Sequence, residues 1–432
     1  MSDLKLLDEK YIWHPYTHIK SKQPARPIVR GEKTVLIDEN GNKYIDAISS
    51  WWVNIHGHGN KFIAKKIYEQ AKKLQQVIFT AFTHEPAVKL AEKLLDALPG
   101  DFTKIFYTDD GSTATEVAIK MAIQYWKNVG DMKRNKVVAF HNSYHGDTFG
   151  AMSISERDVY TLAFQDKLFD VLFIDTPNGN NLDSIKVEIE KYKDEIVCFI
   201  YEPLLQGAGG MLMYEPEHLD PLLHYLKNEK IICIADEVLT GFYRTGKFFA
   251  GDYMKTKADI ICLSKALTGG TMALGVTACT QKIYDAFVSD DKTKTLFHGH
   301  SFTGNALACA AALASFELIQ KPECLKNIEN IVEHHKKFFK KLMKFQKKNY
   351  VKNVRQLGTI IAFEMCTSEN DDYLNSVSND FTPFCMKHGV YLRSLGNTLY
   401  IMPPYCITSK ELKKIYSVII QFIEKFVPQK NR

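Results

Sequence analysis

The sequence predicts an α/β fold: a mainly parallel sheet covered by helices, followed by a smaller α+β unit. Two patterns carry the prediction. From Lys61 to about Lys321, short apolar runs alternate with helix-like segments, the order produced by strands joined through crossover helices. From Pro322 onward the chain turns Lys-rich and helical, then strand-like again near 359–365 and 398–402.

The elements follow in chain order. Residues 1–60 are rich in turns, with short strand candidates at 34–38 and 43–46 around Asn40-Gly41, a hairpin turn signal. This segment is expected to join the C-terminal unit, which divides the chain into 1–60, a large domain at 61–321 and a small domain at 322–432. Strand candidates in the large domain are 104–107, 136–140, 171–174, 197–200, 231–235 and 260–263. There are no internal repeats and no low-complexity segments.

Composition narrows the class. With 432 residues, 45% hydrophobic and 24% charged, the chain has a globular balance and length for two or three domains. A net charge of +5 without a long basic block argues against nucleic acid. Lys340-Lys341 and Lys347-Lys348 read as a solvated patch near a helix end. The nine cysteines are dispersed, lack CxxC spacing, and include Cys198, Cys233 and Cys262 within apolar runs. Reduced thiols in a cytoplasm are expected. The start, Met1-Ser2-Asp3-Leu4-Lys5, predicts no signal peptide. No apolar run reaches the ~20 residues of a membrane span.

Chemistry concentrates where the apolar runs end. Ile231–Ala235 leads into Asp236-Glu237, and 260–263 leads into Ser264-Lys265 shortly before Gly269-Gly270. An acid and a lysine delivered this way suit pyridoxal 5'-phosphate (PLP). The lysine amine condenses with the cofactor aldehyde, and the carboxylate keeps the pyridine nitrogen protonated so that the ring acts as an electron sink. Upstream, Asp109-Asp110-Gly111-Ser112-Thr113-Ala114-Thr115-Glu116 follows a strand and opens a helix running to about Trp126. Glycine permits the tight turn, the helix start offers free N–H groups, and Ser112 and Thr113 add hydroxyls: a phosphate seat. The plainer alternative is an N-cap by Ser or Thr completed by Glu116. Tyr144, in the loop 140–147 after another strand, is the candidate for stacking on a flat cofactor ring; local packing is the alternative. Glu202, ending a further strand, reaches the same crevice for a cofactor or substrate contact, or a salt bridge.

These blocks, with Thr240-Gly241-Phe242-Tyr243-Arg244-Thr245-Gly246 and Phe297-His298-Gly299-His300-Ser301-Phe302-Thr303-Gly304-Asn305, resemble the class III aminotransferases of fold-type I, over nearly the whole chain. The resemblance implies the seven-stranded large domain of that fold. It implies that Asp236 pairs with the pyridine nitrogen, that Lys265 bonds the cofactor, and that Gly111, Ser112 and Thr113 hold its phosphate. It further implies that Ser301 completes the phosphate site of a neighbouring subunit, and hence a homodimer with shared active sites.

Further blocks are similar to the branch of this class in biotin synthesis: Trp13-His14-Pro15-Tyr16-Thr17, Ser49-Ser50-Trp51-Trp52-Val53-Asn54, His141–Met152, Gln206–Met211, Tyr391-Leu392-Arg393 and Met402-Pro403-Pro404-Tyr405. That branch moves an amino group onto 7-keto-8-aminopelargonate, from S-adenosylmethionine or, in some relatives, lysine. A long aliphatic acid needs an apolar trough with a cation at its far end. Tyr16, Trp51, Trp52 and Tyr144 can supply aromatic walls. Adjacent Trp51 and Trp52 would point opposite ways in an extended segment, so one of them can instead be core. Arg393 can grip a carboxylate in bidentate fashion, a surface ion pair being the alternative. By resemblance Arg393 has that role, Arg244 lies near the donor side and His300 contacts substrate; Leu395 is close to Arg393, where its size can affect donor fit. Some members carry Pro-Thr where this chain has His300-Ser301. The pairs His56/His58 and His298/His300 lack partners at ligand spacing, so no metal is expected. Ornithine, γ-aminobutyrate or polyamine aminotransferases are the rivals within the class. A mutase or racemase on the same scaffold and a non-catalytic PLP binder are the others.

Overall fold

The computed structural model describes residues 3–21, 25–367, 369, 371 and 373–430; Met1 and Ser2 of the N-terminal reading lie outside them. The large sheet comprises β1 (Phe102–Thr108), β2 (Lys136–Phe140), β3 (Val171–Ile174), β4 (Ile196–Tyr201), β5 (Ile232–Asp236), β6 (Ile260–Leu263) and β7 (Gly275–Thr280). Its order is β1-β7-β6-β5-β4-β2-β3. All pairings are parallel except those of β7, which runs antiparallel to both β6 and β1. Two reversals cancel, so β1 points the same way as β6.

The central strands are buried on both faces, which explains why they read as unbroken apolar runs. Along β4 and β5, Cys198, Ile200, Ile232 and Ile234 enter one core cluster, while Phe199, Tyr201, Cys233 and Ala235 enter the other. β7 escaped the sequence reading because Gly-Val-Thr-Ala-Cys-Thr mixes small and polar residues. Gly275 is needed there: a Cβ would come within 2.1 Å of the Asp110 carbonyl oxygen, so only glycine lets β7 pass beneath the loop after β1.

The N-terminal hairpin forms as expected. Val35–Asp38 and Lys43–Asp46 pair antiparallel around Gly41, whose φ of 80° suits glycine. The strand Val390–Tyr391 then adds in parallel beside Lys43–Asp46, tying the start of the chain to its C-terminal part. Val351–Leu357, Ile360–Met365 and Thr398–Ile401 make an antiparallel sheet, against which the helix Pro322–Gln346 packs. Among the described residues no helix is long and apolar enough to cross a membrane.

Candidate active site

Because β1, β2, β4, β5 and β6 run the same way, the loops after them open at one sheet edge. They surround a cavity of about 460 Å³ lined by Trp52, Gly111, Ser112, Tyr144, Glu202, Asp236 and Lys265, among others. Five parallel strands thus bring together residues from Gly111 to Lys265.

Lys265 follows β6 directly. Its φ is 43°, a left-handed backbone that side chains other than glycine rarely adopt. The residue starts a short 3-10 turn, Lys265–Thr268, and its Nζ lies 4.7 Å from the centre of the Trp52 ring. Burial, together with the Arg244 cation behind it, lowers the Lys265 pKa, while Asp236 and Glu202 oppose that shift. The neutral, nucleophilic amine is favoured as a result.

Asp236 is the last residue of β5 and is 4% exposed. Its Oδ2 accepts from His145 Nδ1 at 2.7 Å, and its Oδ1 from the Val238 N–H at 3.1 Å. The carboxylate acceptor defines the tautomer: His145 carries its proton on Nδ1. His145 Nε2 is buried and has no hydrogen-bond partner among the described residues. Glu202 accepts from the N–H groups of Tyr144 at 3.1 Å and Gly207 at 2.9 Å. Burial pushes the Glu202 carboxyl up to about 7, helped by the charge of Asp236 and opposed by His145 and the two N–H groups.

The helix Gly111–Asn128 begins at the cavity. Its cap differs from the expected one. Asp110 accepts from the Thr113 N–H at 2.8 Å, and Thr113 Oγ1 accepts from the Asp110 N–H at 3.0 Å. Asp110 is therefore the N-cap, and Glu116 instead accepts from Thr148 Oγ1 and the Ala151 N–H at 2.6 and 3.0 Å. Thr113 has its hydroxyl turned onto Asp110 and does not line the cavity. The N–H groups of Gly111 and Ser112 have no acceptor within the helix. Gly146 crosses this turn closely; a Cβ there would fall 2.3 Å from Ser112 Oγ.

A second group of residues forms an aromatic mouth. Tyr16 O–H donates to Asp147 at 2.6 Å, and its oxygen is 3.4 Å from that of Tyr144. The Tyr16 ring meets Trp51 and Tyr160 edge-on, each at 5.6 Å. Arg393 lies over the Trp51 ring at 5.1 Å and donates to the Tyr373 hydroxyl at 2.5 Å; both partners are neutral. Trp51 is 44% exposed and Trp52 5%. The pair is not extended: Ser49–Trp52 is a distorted helical turn with positive φ at Ser49, Ser50 and Trp52. Trp52 turns inward, donates from Nε1 to Tyr400 at 3.0 Å, and walls the lysine.

Arg244 does not line the cavity. It is completely buried behind Trp52, donating to the Pro403 carbonyl at 2.9 Å and the Trp52 carbonyl at 3.5 Å, over the Tyr405 ring. Ser301 is exposed and also apart from this chain's own cavity. His300 Nδ1 is 3.8 Å from Asp109, and Leu395 pairs with Thr398 by backbone hydrogen bonds at 2.9 Å. His58 is bonded to Asp46 and Asn54, and His56 to Ser315. His145, Asp147, Tyr160 and Tyr373 went unnoticed in the sequence as site residues. Of these, only His145 and Asp147 carried a signal, their adjacency to Tyr144 in a loop ending a strand.

The site and fold define a class. Residues 16–423 match the family model described as aminotransferase class-III, and the chain belongs to that family. Among curated relatives, the adenosylmethionine-8-amino-7-oxononanoate aminotransferase of Synechococcus elongatus is 40% identical over 96% of this chain and 99% of that protein. The crystal structure of the enzyme of the same name from Methanocaldococcus jannaschii superimposes with a TM-score of 0.93 at 36% identity, covering 98% of each chain. The omega transaminase of Pseudomonas jessenii, solved in complex with PMP, shares the fold at a TM-score of 0.92 and 24% identity, covering 100% of this chain and 99% of that one.

Class III aminotransferases depend on PLP, and the residues present fit it. The cavity is lined by a lysine of lowered pKa, a buried carboxylate locked by a histidine, and a helix start whose Gly111 and Ser112 N–H groups have no acceptor within the helix.

Proposed function

We propose that this enzyme transfers an amino group to 7-keto-8-aminopelargonate, giving 7,8-diaminopelargonate in biotin synthesis, with S-adenosylmethionine as donor. Relatives matched over nearly their full length at 34–40% identity bear the corresponding name. One observation of the site carries the substrate reading. The Arg393 guanidinium, held by a neutral tyrosine and a neutral ring, stands at the outer end of an aromatic passage that leads inward past Tyr16 and Tyr144. That is the arrangement a long apolar acid needs: walls for the chain and a fork for its carboxylate.

When bound, PLP supplies the electron sink that acidifies the carbon bearing the amino group. The chain's own residues do the rest. Gly111 and Ser112 would receive the phosphate at the helix start. Asp236, held by His145, would supply a fixed negative charge to the ring nitrogen. Tyr144 and Trp52 would confine the ring and the substrate chain. Lys265 Nζ, its basicity lowered by burial, accepts and returns the proton during the transfer. Tyr16, Trp51 and His300 border the acceptor, and Ser301 serves the phosphate of a second copy. We therefore read the enzyme as a homodimer. Exposed Phe297 and Phe302, 76% and 61% accessible on either side of Ser301, support that reading. Nine unpaired thiols support a cytoplasmic setting. We also propose the division of the chain into 1–60 with 322–432, and 61–321.

The test is to incubate the PLP-loaded enzyme and the keto acid with S-adenosylmethionine or lysine, and to measure 7,8-diaminopelargonate. Product with S-adenosylmethionine alone supports the reading. Product with lysine alone replaces the donor. Amino transfer only with ornithine or γ-aminobutyrate refutes the substrate.

A further inference from the structure

The loop that carries Ser301 is fastened to the helix Gly111–Asn128 and the turn before it by a chain of polar contacts whose direction is chemically forced. Lys120 Nζ lies 2.8 Å from His298 Nδ1, His298 Nε2 lies 3.0 Å from His300 Nε2, and His300 Nδ1 lies 3.8 Å from Asp109. A lysine ammonium has donors only, so His298 Nδ1 must be its bare nitrogen. His298 then carries its proton on Nε2 and donates to His300. His300 accepts at Nε2, and its own proton on Nδ1 faces the Asp109 carboxylate. One turn further along the same helix, Gln124 donates to the carbonyls of Lys294 and Thr295 at 3.1 and 3.0 Å. The spacing of four places both anchors on one helix face.

We propose that Lys120 and His298 are positioning residues, which hold the Ser301 loop in register with the helix that starts at the phosphate seat, so that Ser301 reaches the cofactor phosphate of a second copy. This deepens the shared-site reading above and rests on it. The chain needs both imidazoles neutral. Protonated His298 would turn an N–H toward Lys120, and protonated His300 would turn one toward His298. Among the described residues, the charged and titratable groups facing His298 are Lys120 and Glu116 on the helix and His300 on its own loop; β1 presents the Phe106 ring. Burial, Lys120 and His300 lower the His298 pKa below 6.5, against Glu116. The fastening is therefore intact at neutral pH and is lost as pH falls below that value.

The experiment follows PLP loss from the holoenzyme after dilution, by the visible absorbance of the lysine-linked cofactor, across the histidine pH range. Lys120→Met and His298→Phe should each speed loss about three- to tenfold at neutral pH, the worth of one oriented hydrogen bond. His298→Gln, whose amide accepts and donates but does not titrate, should restore retention at neutral pH. Ser301→Ala is the control. Wild-type retention in Ser301→Ala sinks the shared-site reading and this proposal with it. Weakened retention in Ser301→Ala beside wild-type retention in Lys120→Met and His298→Phe sinks the positioning role alone. Retention in His298→Gln no better than in His298→Phe at neutral pH also refutes it.

Discussion

Replacing Glu202 by glutamine should stabilise the cofactor-free protein in mild alkali and leave it little changed in acid. Its carboxyl ionises near 4.5 in an open chain and at about 7 in the fold, because burial disfavours the charge and Asp236 repels it. That difference corresponds to about 3 kcal/mol. The sign follows from linkage: with both states protonated below 4.5 there is no loss. Between 4.5 and about 7 the unfolded chain ionises while the fold retains its proton, so stability falls, and above that range the whole loss stands. Glutamine never ionises and escapes this loss. The two N–H contacts that the carboxylate accepts, from Tyr144 and Gly207, oppose that shift and are already counted in it. The net expectation is about 3 kcal/mol of added stability at about pH 8 and almost none at about pH 4. Urea denaturation of both apoproteins at the two pH values measures it. Glu237, also raised to about 7 by burial, is common to both and cancels. A variant less stable than wild type in alkali would refute the reasoning, since the two N–H contacts would then outweigh burial.

Other substitutions separate the roles of the site. Asp236→Asn keeps an acceptor for His145 but removes the charge; turnover should drop about a hundredfold or more with an unchanged urea midpoint. Lys265→Ala should bind PLP without the absorbance of the lysine-linked form, and steady-state turnover should vanish. Arg393→Met should raise KM for the keto acid about ten- to a hundredfold, the worth of a charged hydrogen-bonded pair, while single-turnover reaction with the amino donor stays near wild type. Arg244→Met leaves the carbonyls of Trp52 and Pro403 without their donor, so the urea midpoint should fall by the equivalent of about 2–4 kcal/mol.

The parts of the molecule legible in the sequence are those where local pattern and global fold agree. Strands buried on both faces announce themselves as apolar runs, and in a parallel sheet the residue just past each run lies at the ligand edge. Asp236, Glu202 and Lys265 were found by that rule alone. β7 broke it: it runs antiparallel, and its residues are chosen for closeness to the turn at Asp110 rather than for apolarity. The cap of the helix at Gly111 departs from the Ser/Thr-with-Glu116 alternative for a similar reason. Glu116 fits a capping signal, yet Asp110 precedes it and takes the Thr113 N–H first, leaving Glu116 to brace the loop at Thr148.

What no local pattern reveals is which neutral group will face a charge across the fold. Arg244 and Arg393 look alike in sequence, and each rests on an aromatic ring and uncharged oxygen acceptors. Their difference lies in what seals them. Arg244 is closed in by Trp52 and Tyr405 and has no access to an anion, so its charge acts only through space, lowering the basicity of Lys265. Arg393 stands against Trp51, which is 44% exposed, where an incoming carboxylate can displace a single tyrosine hydroxyl. The distorted turn Ser49–Trp52 creates this contrast, sending adjacent tryptophans to opposite ends of the passage. Three positive-φ positions among four residues, Ser49, Ser50 and Trp52, make sense once one tryptophan must wall the lysine while the other carries Arg393.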